Sequence, residues 1–248
     1  MKIRRIFFFL VLLAFSCEKD DKLAFEYITY LGDTCDGCPN IRITAPKALA
    51  DSKIDKVVNN AIKEEIIYLL DFNEENDATD IESAVHSFTK GYTDLKHLFV
   101  DEPMTWEATI TGSISYEDDT VLTIKLESYL FTGGAHGYQT IHYLNFNKTK
   151  AIALDGENLF KNTSDFEEYA ESKFRKQEGI PEKGDINSTG FMFETGSFYL
   201  PQNIGYTQKG IELFYEQYEI ASYADGPIVL TFPYPELQKY LAHVPKPK

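Results

Sequence analysis

The sequence is poor in the residues that common catalytic and metal-binding sites require. Its 248 residues include three cysteines and five histidines, and no two histidines are four positions apart. This excludes the HExxH site of metalloproteases and the His-x-x-x-His metal pair of carbohydrate deacetylases. No GxSxG motif occurs, so the nucleophile turn of α/β-hydrolases is absent too. We therefore predict no catalytic residue, no metal site and no cofactor.

Basic residues are also scarce. The chain has 24 Lys and Arg against 39 Asp and Glu, a formal charge of −15. Residues 1–16 hold three of the basic residues and no acid, so the chain without them carries 21 against 39, a charge of −18. Such a surface repels phosphates and attracts cations, which argues against nucleic acid and is compatible with a basic protein partner. Solubility is the alternative reason for the acidity.

Only one long apolar run is present, from Ile6 to Phe15, and a basic amino terminus precedes it. Ten residues are too few to span a bilayer, and the small Ser16 before Cys17 suits cleavage followed by lipid attachment. We predict a lipoprotein signal peptide over residues 1–16 and a lipidated tether over 17–22. An ordinary secretory signal with an incidental Cys17 is the alternative.

The four residues after Cys17, Glu-Lys-Asp-Asp, resemble the export signal that sends lipoproteins of Bacteroidetes-type bacteria to the cell surface. The expected location is therefore the cell envelope, as an outer-membrane lipoprotein exposed at the surface. A solvated charged linker, with display in the periplasm, is the competing interpretation.

The other two cysteines, Cys35 and Cys38, are three positions apart in a chain expected to be exported. An oxidising compartment favours a local disulfide, and Gly37 relieves the tight ring. A thioredoxin-like site would need a helix after the pair, whereas a strand-like segment follows. Zinc would need further ligands that the sequence does not supply.

The hydrophobic pattern predicts an α+β fold of mostly antiparallel sheets with packed helices, and the length suits either one large domain or two small ones closely packed. In Thr105–Tyr116, apolar residues alternate with polar ones, so Ile114 and Tyr116 should share one buried face. The predicted strands are Ala24–Leu31, Ile41–Ala45, Thr105–Tyr116, Val121–Phe131, Ile211–Tyr215 and Ile228–Phe232. The predicted helices are Asp51–Leu70, Asp80–Lys90, Ser164–Gln177 and Glu236–Leu241.

The segment GGAHG, which follows the strand ending at Phe131, is the most unusual motif. Gly133, Gly134 and Gly137 imply backbone angles or close approaches that side chains would forbid. The turn could present His136 to a ligand, or its glycines could simply let one strand bend into the next. The carboxyl-terminal third is rich in aromatics, most of which should lie in the core, while exposed ones would suit protein or glycan recognition.

The stretch from Phe131 to Phe160, with GGAHG inside it, and the later stretch from Lys209 to Leu237 resemble the RsiV/PdaC-like family. That family includes extracellular domains of a lysozyme-sensing anti-sigma factor and of a peptidoglycan deacetylase. The resemblance implies two closely associated subdomains, a PdaC-type amino-terminal domain over residues 23–130 and an RsiV-like carboxyl-terminal domain over 131–243. The deacetylase relatives carry their chemistry in a separate catalytic domain, for which this chain has no residues left.

Three functions are compatible with these observations. The resemblance implies a non-catalytic module that binds a protein such as lysozyme, with the membrane contacted only through the lipid. The alternative is a module that binds peptidoglycan or another glycan through exposed aromatics. A hydrolase that uses two of the many carboxylates is the third, because such pairs have little sequence specificity.

Overall fold

The computed structural model describes residues 22–35, 37–71, 78–98 and 105–245 of the chain. The predicted signal peptide, Cys17 and most of the predicted tether lie outside these ranges, so their prediction stands as made. Within the described ranges, no helix combines the length and the apolar character needed to cross a membrane.

The larger sheet has six strands in chain order. All neighbours are antiparallel except β2 and β3, which are parallel. The two helices between β2 and β3 form the crossover that a parallel pair requires. The strands are β1 (Phe25–Leu31), β2 (Asn40–Ala48), β3 (Glu107–Glu117), β4 (Val121–Phe131), β5 (Tyr138–Asn147) and β6 (Ile152–Leu154).

Helices α1 (Lys53–Leu70) and α2 (Ile81–Leu98) cover one face of this sheet. Ser52 caps α1, since its side chain accepts from the amide of Asp55 while the Asp55 carboxylate accepts from the amide of Ser52. Between the helices and the sheet lies an apolar core that includes Phe88 and Trp106, whose ring centroids are 5.2 Å apart.

A second layer forms around a three-stranded antiparallel sheet. It consists of α3 (Thr163–Gln177), β7 (Asn203–Tyr206), β8 (Ile211–Tyr215), β9 (Ile228–Phe232) and α4 (Tyr234–Leu237). It has its own core, rich in phenylalanine and tyrosine. Strand β7 lies against the larger sheet, where the Asn145 amide donates to the Ile204 carbonyl at 2.7 Å and the Ser115 hydroxyl to the Tyr206 carbonyl at 2.8 Å.

The α+β architecture is confirmed, and most predicted elements differ from the observed ones by a few residues at their ends. The helix predicted to end at Lys90 continues to Leu98. The prediction that Tyr116 shares a face with Ile114 is wrong, because the register of β3 and β4 shifts between these two residues. The bulge places Tyr116 in the second core, beside Tyr206.

Both ends of the described fold meet at the turn between β3 and β4. The Leu23 amide donates to the Glu117 carboxylate at 2.8 Å, and His243 Nε2 lies 2.7 Å from an oxygen of Asp118. At the opposite end of the sheet, Cys35 and Cys38 form the predicted disulfide. The domain boundary between residues 130 and 131 remains a prediction, and the six-stranded sheet continues past it through β5 and β6.

Candidate functional site

A cluster of polar, largely buried side chains surrounds His142 of β5. Its imidazole lies between two carboxylates: Nδ1 contacts Glu65 of α1, and Nε2 is 3.3 Å from Glu216, just after β8. All three side chains are about one-fifth exposed. The cluster therefore joins the helical layer, the larger sheet and the second layer at one point.

The cluster is held in its charged form. Burial alone would lower the pKa of His142, but hydrogen bonds to Glu216 and Glu65 outweigh it and raise the pKa to about 9. Burial alone would raise the pKa of Glu216, yet hydrogen bonds from His142, Thr140 and Tyr138 lower it to about 2. A proton shuttle works best with a pKa near the working pH, so these values argue against acid–base catalysis by this pair at neutral pH.

Within the described ranges, no group of three or more His, Cys, Asp or Glu side chains could hold a metal ion. The hydroxyls and the amide around Glu216 instead serve to fix its carboxylate. Tyr138 donates to it at 2.6 Å and Asn203 at 3.2 Å, and Thr140 donates to it as well. Burial and the neighbouring Glu216 in turn raise the pKa of Tyr138, so its phenol stays protonated.

The cluster lines a cavity of about 1030 Å³ between α1, β5 and the turn after β8. A second cavity of about 700 Å³ continues along β5 toward the start of α3. The two cavities share five lining residues and are therefore adjacent along β5; together we call them the β5 groove. The shared residues are Tyr143, Leu144, Tyr199, Leu200 and Gln202.

The β5 groove is strongly acidic. No lysine or arginine of the described chain lines it, and His142 is its one basic residue. The His142 charge is already matched by Glu65 and Glu216, so the other carboxylates have no cation in the groove. The lining carboxylates are Glu65, Asp71, Asp155, Glu167, Glu216 and Glu219. Burial raises the pKa of Glu219, so a cation bound beside it would stabilise its ionised form.

Two exposed tyrosines lie at one end of the groove. Tyr68 is 68% exposed and its ring centroid is 6.4 Å from that of His142, while Tyr218 is 58% exposed. Tyr218 also has a φ of 69°, a backbone region that a bulky residue rarely occupies. Such an outlier is a reason to suspect a functional constraint at Tyr218.

The GGAHG turn lies beside this end of the groove. Gly133 and Gly134 have φ of 106° and 87°, as a turn that excludes side chains requires. Gly137 lacks space instead, because a Cβ there would lie 2.5 Å from atoms of the Tyr129 ring. His136 is exposed and stacks on Tyr223 with centroids 3.7 Å apart.

The hydroxyl of Tyr223 also donates to the Gly137 carbonyl at 3.0 Å, so the stack and this bond hold the turn. Among the candidate residues from the sequence, Gly133 and His136 line a small cavity of about 230 Å³ that also touches Tyr138. The disulfide lies between β1 and β2, where the Gly37 carbonyl accepts from Lys96 of α2 at 3.2 Å. Whether any of these residues binds a ligand stays a prediction.

The His142 cluster was not predicted from the sequence. His142 is more than 70 positions along the chain from each of its two partners, and Glu65 is one of 39 acidic residues. The one available signal was a second histidine, His142, six residues after His136 of the GGAHG turn. Its carboxylate partners come from elements whose packing no local pattern specifies.

Comparisons with known proteins match both halves of the chain. The family described as "Deacetylase PdaC" matches residues 36–139, and "Protein of unknown function (DUF3298)" matches residues 157–235. No curated protein matches significantly.

Two solved structures are similar in fold. A member of the DUF3298 family from Bacteroides fragilis has a TM-score of 0.68 at 19% identity, covering 90% of this chain and 96% of its own. A DUF3298 family protein from Pseudomonas aeruginosa has a TM-score of 0.62 at 20% identity, covering 90% and 95%. With a PdaC domain followed by a DUF3298 domain on the same two-layer fold, the chain belongs to the PdaC/DUF3298 two-domain family.

Proposed function

We propose that the protein is a lipid-anchored, non-catalytic binding module of the cell envelope, and that its partner is a basic protein such as lysozyme. The observation that carries this proposal is the β5 groove, which has six carboxylates, one histidine and no lysine or arginine of the described chain. A groove with a net negative charge concentrates cationic ligands and speeds their association.

The orientation of the fold supports the same proposal. Leu23, six positions after the predicted lipid site, is bonded to the β3–β4 turn. From that turn β4 runs 11 residues, roughly 35 Å, to the end of the sheet where Leu130 lines the groove. An anchored molecule would therefore hold Tyr68 and Tyr218 on the side away from the membrane.

Lipid attachment at Cys17 can be tested directly. We expect the wild-type protein to fractionate with outer membranes and Cys17→Ser to be released in soluble form, because two or three acyl chains are needed for stable anchoring. Mass spectrometry of the amino-terminal peptide should show the lipid. Protease treatment of intact cells would distinguish surface from periplasmic display. Membrane association of Cys17→Ser equal to wild type would contradict the anchor.

Binding can be tested with lysozyme and with the chain from residue 18 to 248, which retains every described residue. We expect saturable binding that weakens at least tenfold between low and near-physiological salt, because the attraction is screened. Asp71→Asn should weaken binding a few-fold at low salt. Glu82→Gln, which removes an equal charge from the exposed start of α2, should leave it unchanged.

Tyr218→Asn is the sharper variant in this assay. Asn tolerates a positive φ, so we expect unchanged or higher stability together with about tenfold weaker binding. His136→Ala is the control for the GGAHG turn, since it should cost about 1 kcal/mol of stability by removing the stack on Tyr223, without altering binding. No lysozyme binding at low salt would refute the protein-partner proposal.

A glycan is the second candidate, favoured by the exposed Tyr68 and Tyr218 rings, which could stack on sugar faces. The same assay with purified peptidoglycan separates the two. Stacking on a neutral sugar should be insensitive to salt and should require Tyr218, whereas charge-driven binding should not survive high salt. Salt-insensitive binding to peptidoglycan, without binding to lysozyme, would replace the first proposal by the second.

A further inference from the structure

Strand β5 has an incomplete neighbour on its outer side. It pairs with β4 along its whole length, but with β6 only from Asn145 to Asn147. From Tyr138 to Leu144, no strand of the described chain lies beside it. Alternate residues of this segment therefore direct backbone N–H and C=O groups to an unpaired sheet edge.

This open edge lines the acidic groove. Side chains from both faces of β5 line the groove, because Thr140 and His142 point to one face of the strand and Tyr143 points to the other. Loop residues Tyr199 to Asn203 and the turn from Glu216 to Glu219 form the facing wall. A free edge in an elongated groove between two walls matches the sites at which proteins bind an extended peptide by adding a strand.

The open segment and the charge of the groove define the occupant. Seven residues, Tyr138 to Leu144, span roughly 23 Å, which an extended segment of about seven residues would cover. Acidic side chains occur along the whole groove, from Glu219 and Asp71 at one end to Asp155 and Glu167 at the other. An occupant with several basic side chains would be matched along its length.

We propose that the open edge of β5 pairs with an extended, lysine- or arginine-rich segment of the partner protein, which adds a strand to the larger sheet inside the groove. This inference rests on the proposed function, because it states how a basic protein would be held. Main-chain hydrogen bonds would give affinity, and the carboxylates would select basic side chains.

A peptide tests the pairing without altering the protein. The probe is the heptapeptide acetyl-Lys-Thr-Lys-Thr-Lys-Thr-Lys-amide. Two analogues carry N-methyl groups on backbone nitrogens, one analogue at every lysine and the other at every threonine. Each analogue therefore blocks the backbone N–H groups of one edge of the peptide and keeps its charge. We expect the unmodified peptide to bind, one analogue to lose at least tenfold in affinity, and bound peptide to slow amide hydrogen exchange in residues 138–144 at least tenfold. The same peptide with glutamate in place of lysine should not bind.

These experiments distinguish failure of the strand pairing from failure of the proposed function. If the peptide and both analogues bind equally and exchange in residues 138–144 is unchanged, the attraction is purely ionic and strand pairing is refuted. If lysozyme binds but the peptide does not, the proposed function stands and the pairing falls. If peptidoglycan alone protects this segment, a glycan occupies the groove and both proposals are overturned.

Discussion

His142→Ala should lower the free energy of unfolding by about 3 kcal/mol at pH 6, and this deficit should nearly disappear at pH 10. The substitution removes the cation that lies between Glu65 and Glu216, and removal of one partner from a largely buried ion pair costs about 3–5 kcal/mol. The expected value lies at the lower end because one-fifth of each side chain remains exposed.

The pH dependence follows from the sign of the shift. The pKa of His142 is raised to about 9 in the folded protein, from an ordinary value of 6.5. Its charged form therefore stabilises the fold fully below about pH 6.5, and that stabilisation is lost as the pH rises through 9. A shift of this size corresponds to about 3 kcal/mol. Above pH 9 the imidazole of the wild-type protein is neutral, so wild type and variant then differ mainly in packing.

Urea denaturation at pH 6, 8 and 10 measures this difference. The matched control is His86→Ala, which removes an exposed histidine from α2 and should change stability by less than about 0.5 kcal/mol at every pH. A deficit for His142→Ala that is the same at pH 6 and pH 10 would show that the imidazole acts through packing and not through charge.

Local sequence signals predicted the helices and strands of the fold, but not in every case which core a side chain enters. Alternation over residues 121–131 predicted β4 with its observed ends, because both flanks carry clear turn and glycine signals. The bulge after Ile114 could not be predicted, since an extra residue in one strand leaves the alternating pattern looking regular. That bulge sends Tyr116 to the second layer, whose contact with the larger sheet no local pattern shows.

The candidate site was predictable only in part. The GGAHG motif indicated special backbone, and positive φ angles are found at two of its glycines. The acidic composition is compatible with a cationic ligand but gives no place for one on the surface. The groove arises where α1, β5 and the turn after β8 meet, and the distance along the chain from Glu65 to Glu216 removes any spacing signal. Tyr218 was one of many aromatics, and only the fold distinguishes it from the buried ones.

The contact between the two sheets leads to the second large effect, at Gly205 of β7. A Cβ at this position would lie 2.3 Å from Cγ and 2.7 Å from Cβ of Tyr143, atoms too near the β5 backbone to move aside. Gly205→Ala must therefore separate β7 from β5. We expect it to lower the free energy of unfolding by about 3 kcal/mol, which is at the upper end of the range for substitutions that overpack a core. Because Tyr143 lines both cavities, the substitution should also weaken lysozyme binding.

Urea denaturation and a double-mutant cycle test this explanation. Gly156→Ala is the matched control, because its Cβ would reach only ordinary contact, 3.4 Å from Ile204, and should cost less than about 0.5 kcal/mol. Tyr143→Ala removes Cγ and the ring but keeps Cβ, so the obstruction is reduced and Gly205→Ala should cost at least about 1 kcal/mol less in that background. Equal costs of Gly205→Ala in both backgrounds would mean that the close approach of glycine to Tyr143 does not hold the two sheets together. The groove would then have to owe its shape to the polar contacts of Asn145 and Ser115 with β7.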